Sequence, residues 1–463
     1  MSAKPRKYWD SNQFIFKLAI ALVCISSIIL IIISSNLDLF CVPMNNRAIE
    51  ISNVELFFIY SAVFTIINFF LLKFSNNIGI YNLKIKSYAF IVILICQLII
   101  MSSLFGIYGQ IKLSAFYYNS LLYLVIYTSL SASAFFLGIS GAQFLRWYSH
   151  DRNYLVLIYS MVMLSLLCNS VIAAVYLSQV SSSHPDILKR ISCSVMMSAL
   201  SNANPNLTNF LINLYDITSF ISFILAWIAT IFILKDYLNT NTKNKFIYWI
   251  IIILPLIFFL SKYEVRLYYF SNNLDVDFSS FIRMNSDIFG YKIFEIIINW
   301  NLQIGGALFG VAFIVIAAML PSVKRQRKTL ILTGIGMLLL FSSKDITSLN
   351  YSSYPPLGAV SIGFIGLASY LVYIGIYGTA RLSASDKKLG ADLRKKIENN
   401  SDLLRSIALS QNQIETEKAV KNIMKLTTER EIEDTSMSQE EIKQIVNEVI
   451  SEIKLSKVNG KKQ

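Results

Sequence analysis

The chain has 463 residues, of which 55% are hydrophobic and 15% charged, against about 25% charged in a typical soluble domain. No water-soluble fold hides that much apolar surface, and a single signal peptide does not account for apolar stretches that recur down to residue 380. The formal charge of +13 arises without a basic tract interleaved with aromatic residues, so it speaks for membrane topology and against a nucleic-acid partner.

A hydrocarbon core about 30 Å thick takes about 20 mostly apolar residues in a helix. In chain order such runs lie at 14–35, 54–73, 88–107, 120–142, 154–177, 211–234, 246–262, 299–320, 328–343 and 358–380. The fold class expected is therefore all-α: a polytopic bundle of about ten spans over residues 1–380, followed by a helical tail over 381–463. The seventh run is short and carries Pro255, and the ninth ends early at Ser342, Ser343, Lys344 and Asp345. Either could be re-entrant, which leaves nine spans as the alternative.

Charge sets the orientation. With the N-terminus cytoplasmic, the short inner segments hold fifteen cations, among them Lys4, Arg6 and Lys7 and the cluster Lys324, Arg325, Arg327 and Lys328. The longer outer segments hold nine. The excess of Lys and Arg on the inner side places both termini in the cytoplasm of a multi-pass cell-membrane protein. Trp9, Trp147, Trp249 and Trp300 fall at span ends, where an interfacial aromatic belt is expected, whereas Trp227 falls deep.

Two outer loops, 178–210 and 262–298, are long enough to fold locally. The first contains Asn206-Leu207-Thr208 and the last outer loop contains Asn350-Tyr351-Ser352, both glycosylation sequons on the outer side. Cys41 and Cys193 are the cysteines of the outer loops, and an oxidising exterior would allow them to pair. Cys24, Cys96 and Cys168 lie inside apolar runs and read as small buried hydrophobes.

From Arg381 onward the chain turns polar, with sixteen basic and fourteen acidic residues, and its apolar residues become periodic instead of continuous. Leu389, Leu393 and Ile397, then Leu404, Ile407 and Ile414, then Val420, Ile423 and Leu426 keep a helical stripe. Ser438 and Glu441 form a capping box ahead of Ile442, Ile445, Val446, Val449 and Ile453. Such a narrow stripe buries itself against another helix, as in a coiled coil, and the tail is expected to engage a second copy of the chain or a cytoplasmic protein. The basic residues nearest the membrane, Arg381, Lys387, Lys388, Arg394, Lys395 and Lys396, also suit anionic lipid headgroups.

Catalytic chemistry has little to work with. His150 and His184 fall on opposite sides of the membrane, and no phosphate-cradling, nucleophile-elbow or zinc-hydrolase pattern occurs. The sequence Ser149-His150-Asp151-Arg152-Asn153 places a histidine before an acidic residue and an arginine, as phospho-acceptor boxes do. It reads as a polar inner loop of about eight residues, with no nucleotide-binding sequence downstream. No enzyme activity, cofactor or metal site is expected. Ionisable residues inside spans mark ion or substrate paths, and here they are scarce. Asp216, with Asn301 and Gln303, forms the best candidate for a polar pocket near the outer face. Gln97, Gln143 and Asn169 read as hydrogen bonds between helices. Small residues gather in the fourth run, including Ser129, Ser133, Gly138 and Gly141, and in the tenth, including Gly363, Gly366 and Ser369, where close helix packing is expected.

The segment Ser353-Tyr354-Pro355-Pro356-Leu357-Gly358, with Ser361-Ile362-Gly363-Phe364-Ile365-Gly366-Leu367 and then Arg381-Leu382-Ser383-Ala384-Ser385, resembles a family of multi-span membrane proteins of ammonia-oxidising archaea. The resemblance implies an archaeal cell membrane with ether lipids; the family carries no assigned activity and brings no site residues. Pro355-Pro356 gives a stiff, extended lead into the last span. These readings together point to a non-enzymatic sensor or scaffold acting through its cytoplasmic tail, with a solute transporter or channel as the alternative.

Overall fold

The computed structural model describes residues 47–76, 83–114, 116–182, 187–189, 205–238, 253, 309–317, 324–343 and 356–385, with 407, 410, 411, 413 and 414 of the tail. The chain divides into two compact units, Met1–Leu409 and Ser410–Gln463. In the second unit Ser410, Gln411 and Ile414 are helical and buried; Ile414 belongs to the apolar stripe expected there.

The first unit is built from helices α1 (Arg47–Asn76), α2 (Leu83–Ser114), α3 (Asn119–Asp151), α4 (Tyr154–Ser182), α5 (Pro205–Leu238), α6 (309–317), α7 (Lys324–Ser342) and α8 (Leu357–Ser385). Six of them, α1 to α5 and α8, are long and apolar enough to cross a membrane. They contain the second to sixth and the tenth of the apolar runs. Their outward faces carry large apolar side chains, such as Ile59 (59% exposed), Phe69 (61%) and Leu98 (56%). The buried polar side chains among the described residues are all Ser, Thr, Asn or Gln. A chain solvated by lipid has this distribution, since lipid takes apolar faces and the helices bond to one another through uncharged polar groups.

α8 lies at the centre. It packs against α1, α2, α3 and α7, and every residue from Pro356 to Ala380 is buried except the half-buried Tyr377. α7, which holds the short ninth run, is as enclosed: every residue from Thr329 to Ser343 is buried. At 19 residues and 1.5 Å per residue it is about 28 Å long, close to the hydrocarbon thickness.

Register fixes directions. Ser129, Ser133 and Phe136 of α3 meet Ile362, Ser369 and Tyr370 of α8, so those helices run parallel. Gly336 of α7 meets Ala368 and Val372 while Gly375 meets Thr329 and Thr333, so α7 runs antiparallel to α8.

Three local features depart from the sequence reading. The helix-only expectation misses a two-stranded antiparallel ribbon between β1 (Phe116–Tyr118) and β2 (Ile187–Lys189), paired Phe116 to Lys189 and Tyr118 to Ile187. The ribbon ties the α2–α3 connection to the one following α4, which puts both on one side of the bundle. Second, the inner loop expected at about eight residues is two, Arg152 and Asn153, because α3 stays helical through His150 to Asp151. Arg152 takes a left-handed conformation (φ 49°) and donates to the Tyr148 carbonyl at 2.7 Å, ending α3. Asn153 starts α4 by accepting from the Leu155 amide at 2.9 Å. Asn153→Ala is expected to cost about 1 kcal/mol through loss of this cap, read as a lower thermal midpoint of the purified protein. Third, Trp147 is 2% exposed and packs edge-on against Phe144, so it is a core residue and not part of a lipid-facing belt. Cys96 and Cys168 likewise differ from the buried hydrophobes expected: Cys96 is half-buried and Cys168 exposed on the outer face of α4.

Candidate functional site

Many polar groups of the interior converge on the N-terminal half of α8, between Ser361 and Tyr370. Gln97 of α2, 1% exposed, donates through Nε2 to the Gly363 carbonyl at 3.4 Å. From α3, the Ser133 hydroxyl lies 2.8 Å from that of Ser369 and 3.3 Å from that of Ser170 on α4, so three helices meet through three hydroxyls. Ser75 at the end of α1 lies 3.2 Å from the Tyr370 hydroxyl. Phe64 of α1 and Phe136 of α3 stack edge-on against Phe364 and Tyr370 of α8.

Ser129 makes an unusual contact. Its hydroxyl donates to the Ile362 carbonyl and accepts from the Gly366 amide at 3.1 Å. Those two backbone groups are four residues apart and would close one turn of α8 on each other. The close approach depends on Gly366, where an added Cβ would stand 3.0 Å from the Ser129 carbonyl oxygen. A side chain set into a helix's own bond ladder is a recognised place for the helix to bend.

Further along, Asn169 of α4 is fully buried and donates through Nδ2 to the Tyr215 carbonyl and to the Thr218 hydroxyl of α5, each at 3.1 Å. The Asn169 and Gln97 side-chain oxygens and Asn68 Oδ1 are buried without a hydrogen-bond partner among the described residues. Lower down, Thr379 of α8 donates to Thr329 of α7 at 2.8 Å.

The residues singled out from sequence fare unevenly. Asp216 lies in α5, one residue after the carbonyl that Asn169 engages. Asn206 lies in the first turn of α5, which begins at Pro205, ahead of the apolar run. Asn301, Gln303, Cys41, Cys193 and Asn350 lie outside the described residues. Gln97 and Asn169 do bond neighbouring helices. Of the small residues, Ser129 and Ser133 meet Gly366 and Ser369, while Gly138 and Gly141 pack on Leu167 and Leu164 of α4 and Gly363 on Phe64 and Ile100. Sequence reading did not single out Ser129 as a backbone ligand. Its nearest signal was its place opposite Gly366, which needs the register to be seen.

No group of three His, Cys, Asp or Glu side chains able to hold a metal ion occurs among the described residues. The arrangement can do two things chemically: hold helices together through neutral hydrogen bonds, and offer buried carboxamide oxygens as acceptors. No protein-family model, curated protein or solved structure matches the chain.

Proposed function

We propose that the protein is a non-enzymatic membrane sensor or scaffold, in which the spans set the position of α8 and the cytoplasmic helical tail delivers that position to a second copy of the chain or to a cytoplasmic partner. The observation that carries this reading is the enclosure of α8, gripped by α1, α2, α3 and α7 and continuing as helix to Ser385, past Arg381 where the polar tail begins. A shift in any of those four helices is felt by α8, because packed interiors transmit strain.

The reading includes about ten passes, with both termini cytoplasmic in a cell membrane. Parallel α3 and α8 support it, since helices of one direction are separated by an even number of passes, as the fourth and tenth runs are. The inner excess of Lys and Arg supports the orientation. An archaeal membrane is the setting implied by the resemblance around the last span.

The test is the mass of the full-length protein in detergent micelles, by sedimentation, beside a chain that ends after Ser385. The full chain is expected to sediment as a dimer or higher oligomer, or to retain a stoichiometric cytoplasmic protein, and the shortened chain as a bare monomer. Equal masses for the two, with nothing retained by either, would defeat the proposal and turn attention to solute transport. That alternative is favoured by one feature, the neutral polar line Ser369–Ser133–Ser170–Asn169 crossing from α8 towards α5.

A further inference from the structure

Exposed charge is divided unevenly between the two ends of the bundle. Phe64 and Ser75 of α1 meet Phe364 and Tyr370 in that order, so α1 runs parallel to α8, as α3 does. On the side where these helices end and α7 begins, every charged side chain among the described residues is a cation: Lys73, Arg146, Arg152, Arg327 and Lys328, all exposed. On the other side, Glu55 of α1 and Lys112 of α2 give one charge of each sign. Lys73 stands over the Phe69 ring, 5.8 Å from its centroid. The side chains of the other four make no ion pair or hydrogen bond among the described residues.

Those four flank the end of α8. Thr379 donates to Thr329, so Lys328 and Arg327 emerge beside the last buried turn of α8. Arg146 lies about three turns past Phe136, which stacks on Tyr370, and Ala380 lies about three turns past Tyr370, so Arg146 reaches the same level. Their depth decides which anion reaches them. Thr329, next to Lys328, is fully buried, and so is Trp147, next to Arg146. Tyr154, two residues past Arg152, is 76% exposed, as suits an aromatic ring at headgroup level. The cations therefore begin where the enclosed interior stops, at the level of lipid phosphates, and a soluble polyanion would have to enter the headgroup layer to meet them.

We propose that Arg146, Arg152, Arg327 and Lys328 form a rim around the exit of α8 that binds the headgroups of anionic lipids. A lipid phosphate suits the set, since guanidinium forks take phosphate oxygens in pairs and lysine adds a point charge. α8 passes this rim on its way to Ser385, so lipid charge acts where the spans give way to the tail. The rim goes beyond the sensor reading and stands whether or not the tail assembles.

Native mass spectrometry of the full-length protein in a neutral detergent tests it, with phosphatidylglycerol and phosphatidylcholine of the same acyl chains offered in equal amounts. Phosphatidylglycerol is expected to be retained about fivefold or more over phosphatidylcholine, the preference that one well-placed cation gives. Raising the salt is expected to shrink that preference, because exposed charges are screened. Changing all four residues to Gln is expected to bring the two lipids to parity, while Lys112→Gln on the other side leaves the preference unchanged. If the fourfold variant does not fold, Arg146→Gln with Arg152→Gln and Arg327→Gln with Lys328→Gln serve as two separate pairs, each expected to lower the preference. Parity in the unmodified protein would overturn the proposal, and so would an undiminished preference in the fourfold variant or in both pairs. Inorganic phosphate at the lipid concentration is expected to displace no phosphatidylglycerol; displacement would make the rim a site for free phosphate and overturn the lipid assignment.

Discussion

Gly334→Leu is expected to abolish the monodisperse folded protein, whereas Gly109→Leu is expected to leave it intact. A Cβ built on Gly334 would stand 2.7 Å from the Gly310 carbonyl oxygen and 2.7 Å from Cγ1 of Ile314, both on α6. The reciprocal Cβ on Gly310 would meet the Gly334 carbonyl oxygen at 2.5 Å and the Leu338 amide at 2.8 Å. On its other side α7 is pressed to α8 in the same manner: a Cβ added to Gly336 would stand 2.8 Å from the Val372 amide nitrogen, and one added to Gly375 would stand 2.7 Å from that of Thr333. The obstacles include backbone atoms, which cannot swing aside as a side-chain tip can, so the helices must separate. Overpacking by a few methylenes costs about 1–3 kcal/mol where neighbours can yield, and a rigid contact on an enclosed helix costs more. At Gly109 nothing lies within 4 Å of the added atom. There the helix gains a better former, worth about 0.5–1 kcal/mol for alanine. Gel filtration of both variants, with thermal midpoints, checks the pair. Equal midpoints would mean that α6, α7 and α8 are not held by these close approaches.

How far the sequence foretells this packing depends on which physical signal each feature emits. Six apolar runs, 54–73, 88–107, 120–142, 154–177, 211–234 and 358–380, coincide with α1 to α5 and α8, because the demand for about 20 apolar residues is imposed by the lipid and is written directly in composition. Helix ends are less legible. α3 runs past its apolar stretch through Arg146, Trp147 and His150, and α7 starts at Lys324, four residues before its run, because polar and basic residues sustain a helix without lipid around them. The ribbon is hidden for another reason: Phe116–Tyr118 finds its partner about 70 residues away, and three residues are too few for alternation to show.

The interior is legible in kind and not in pairing. Gly363, Gly366 and Ser369 announce a helix that others approach closely, yet nothing local says that Ser129 and Ser133 are what approach. Serine in a helix most often bonds back to its own preceding turn, as Ser140 does to Phe136 and Ser170 to Leu166. Ser129 bonds across instead, and only the register reveals it. Asp216 drew attention because charge in a span is costly, while α5 meets Asn169 with the Thr218 hydroxyl and the neighbouring Tyr215 carbonyl, the second of which no side-chain pattern encodes.

Ser129→Ala is expected to slow amide exchange at Gly366, the opposite of what the loss of an ordinary interhelical bond would do. In the native arrangement the hydroxyl competes for both ends of one turn of α8, taking the Ile362 carbonyl as donor and the Gly366 amide as acceptor. Removing it returns those groups to each other, and a backbone bond of about 0.5–1.5 kcal/mol net corresponds to roughly threefold to tenfold slower exchange. Ser133→Ala provides the contrast. Its hydroxyl meets the Ser369 and Ser170 side chains without touching the α8 backbone, so its loss is expected to leave exchange at Gly366 unchanged or faster. Hydrogen exchange of the full-length protein in nanodiscs, resolved to peptides across 357–370, reads both. Faster exchange in Ser129→Ala would make Ser129 plain adhesive between α3 and α8. Slower exchange would mean that α3 holds α8 loosened at one turn, between Gly363 and Gly366 and ahead of the long helical stretch to Ser385. A helix with one softened turn inside a rigid collar bends there first.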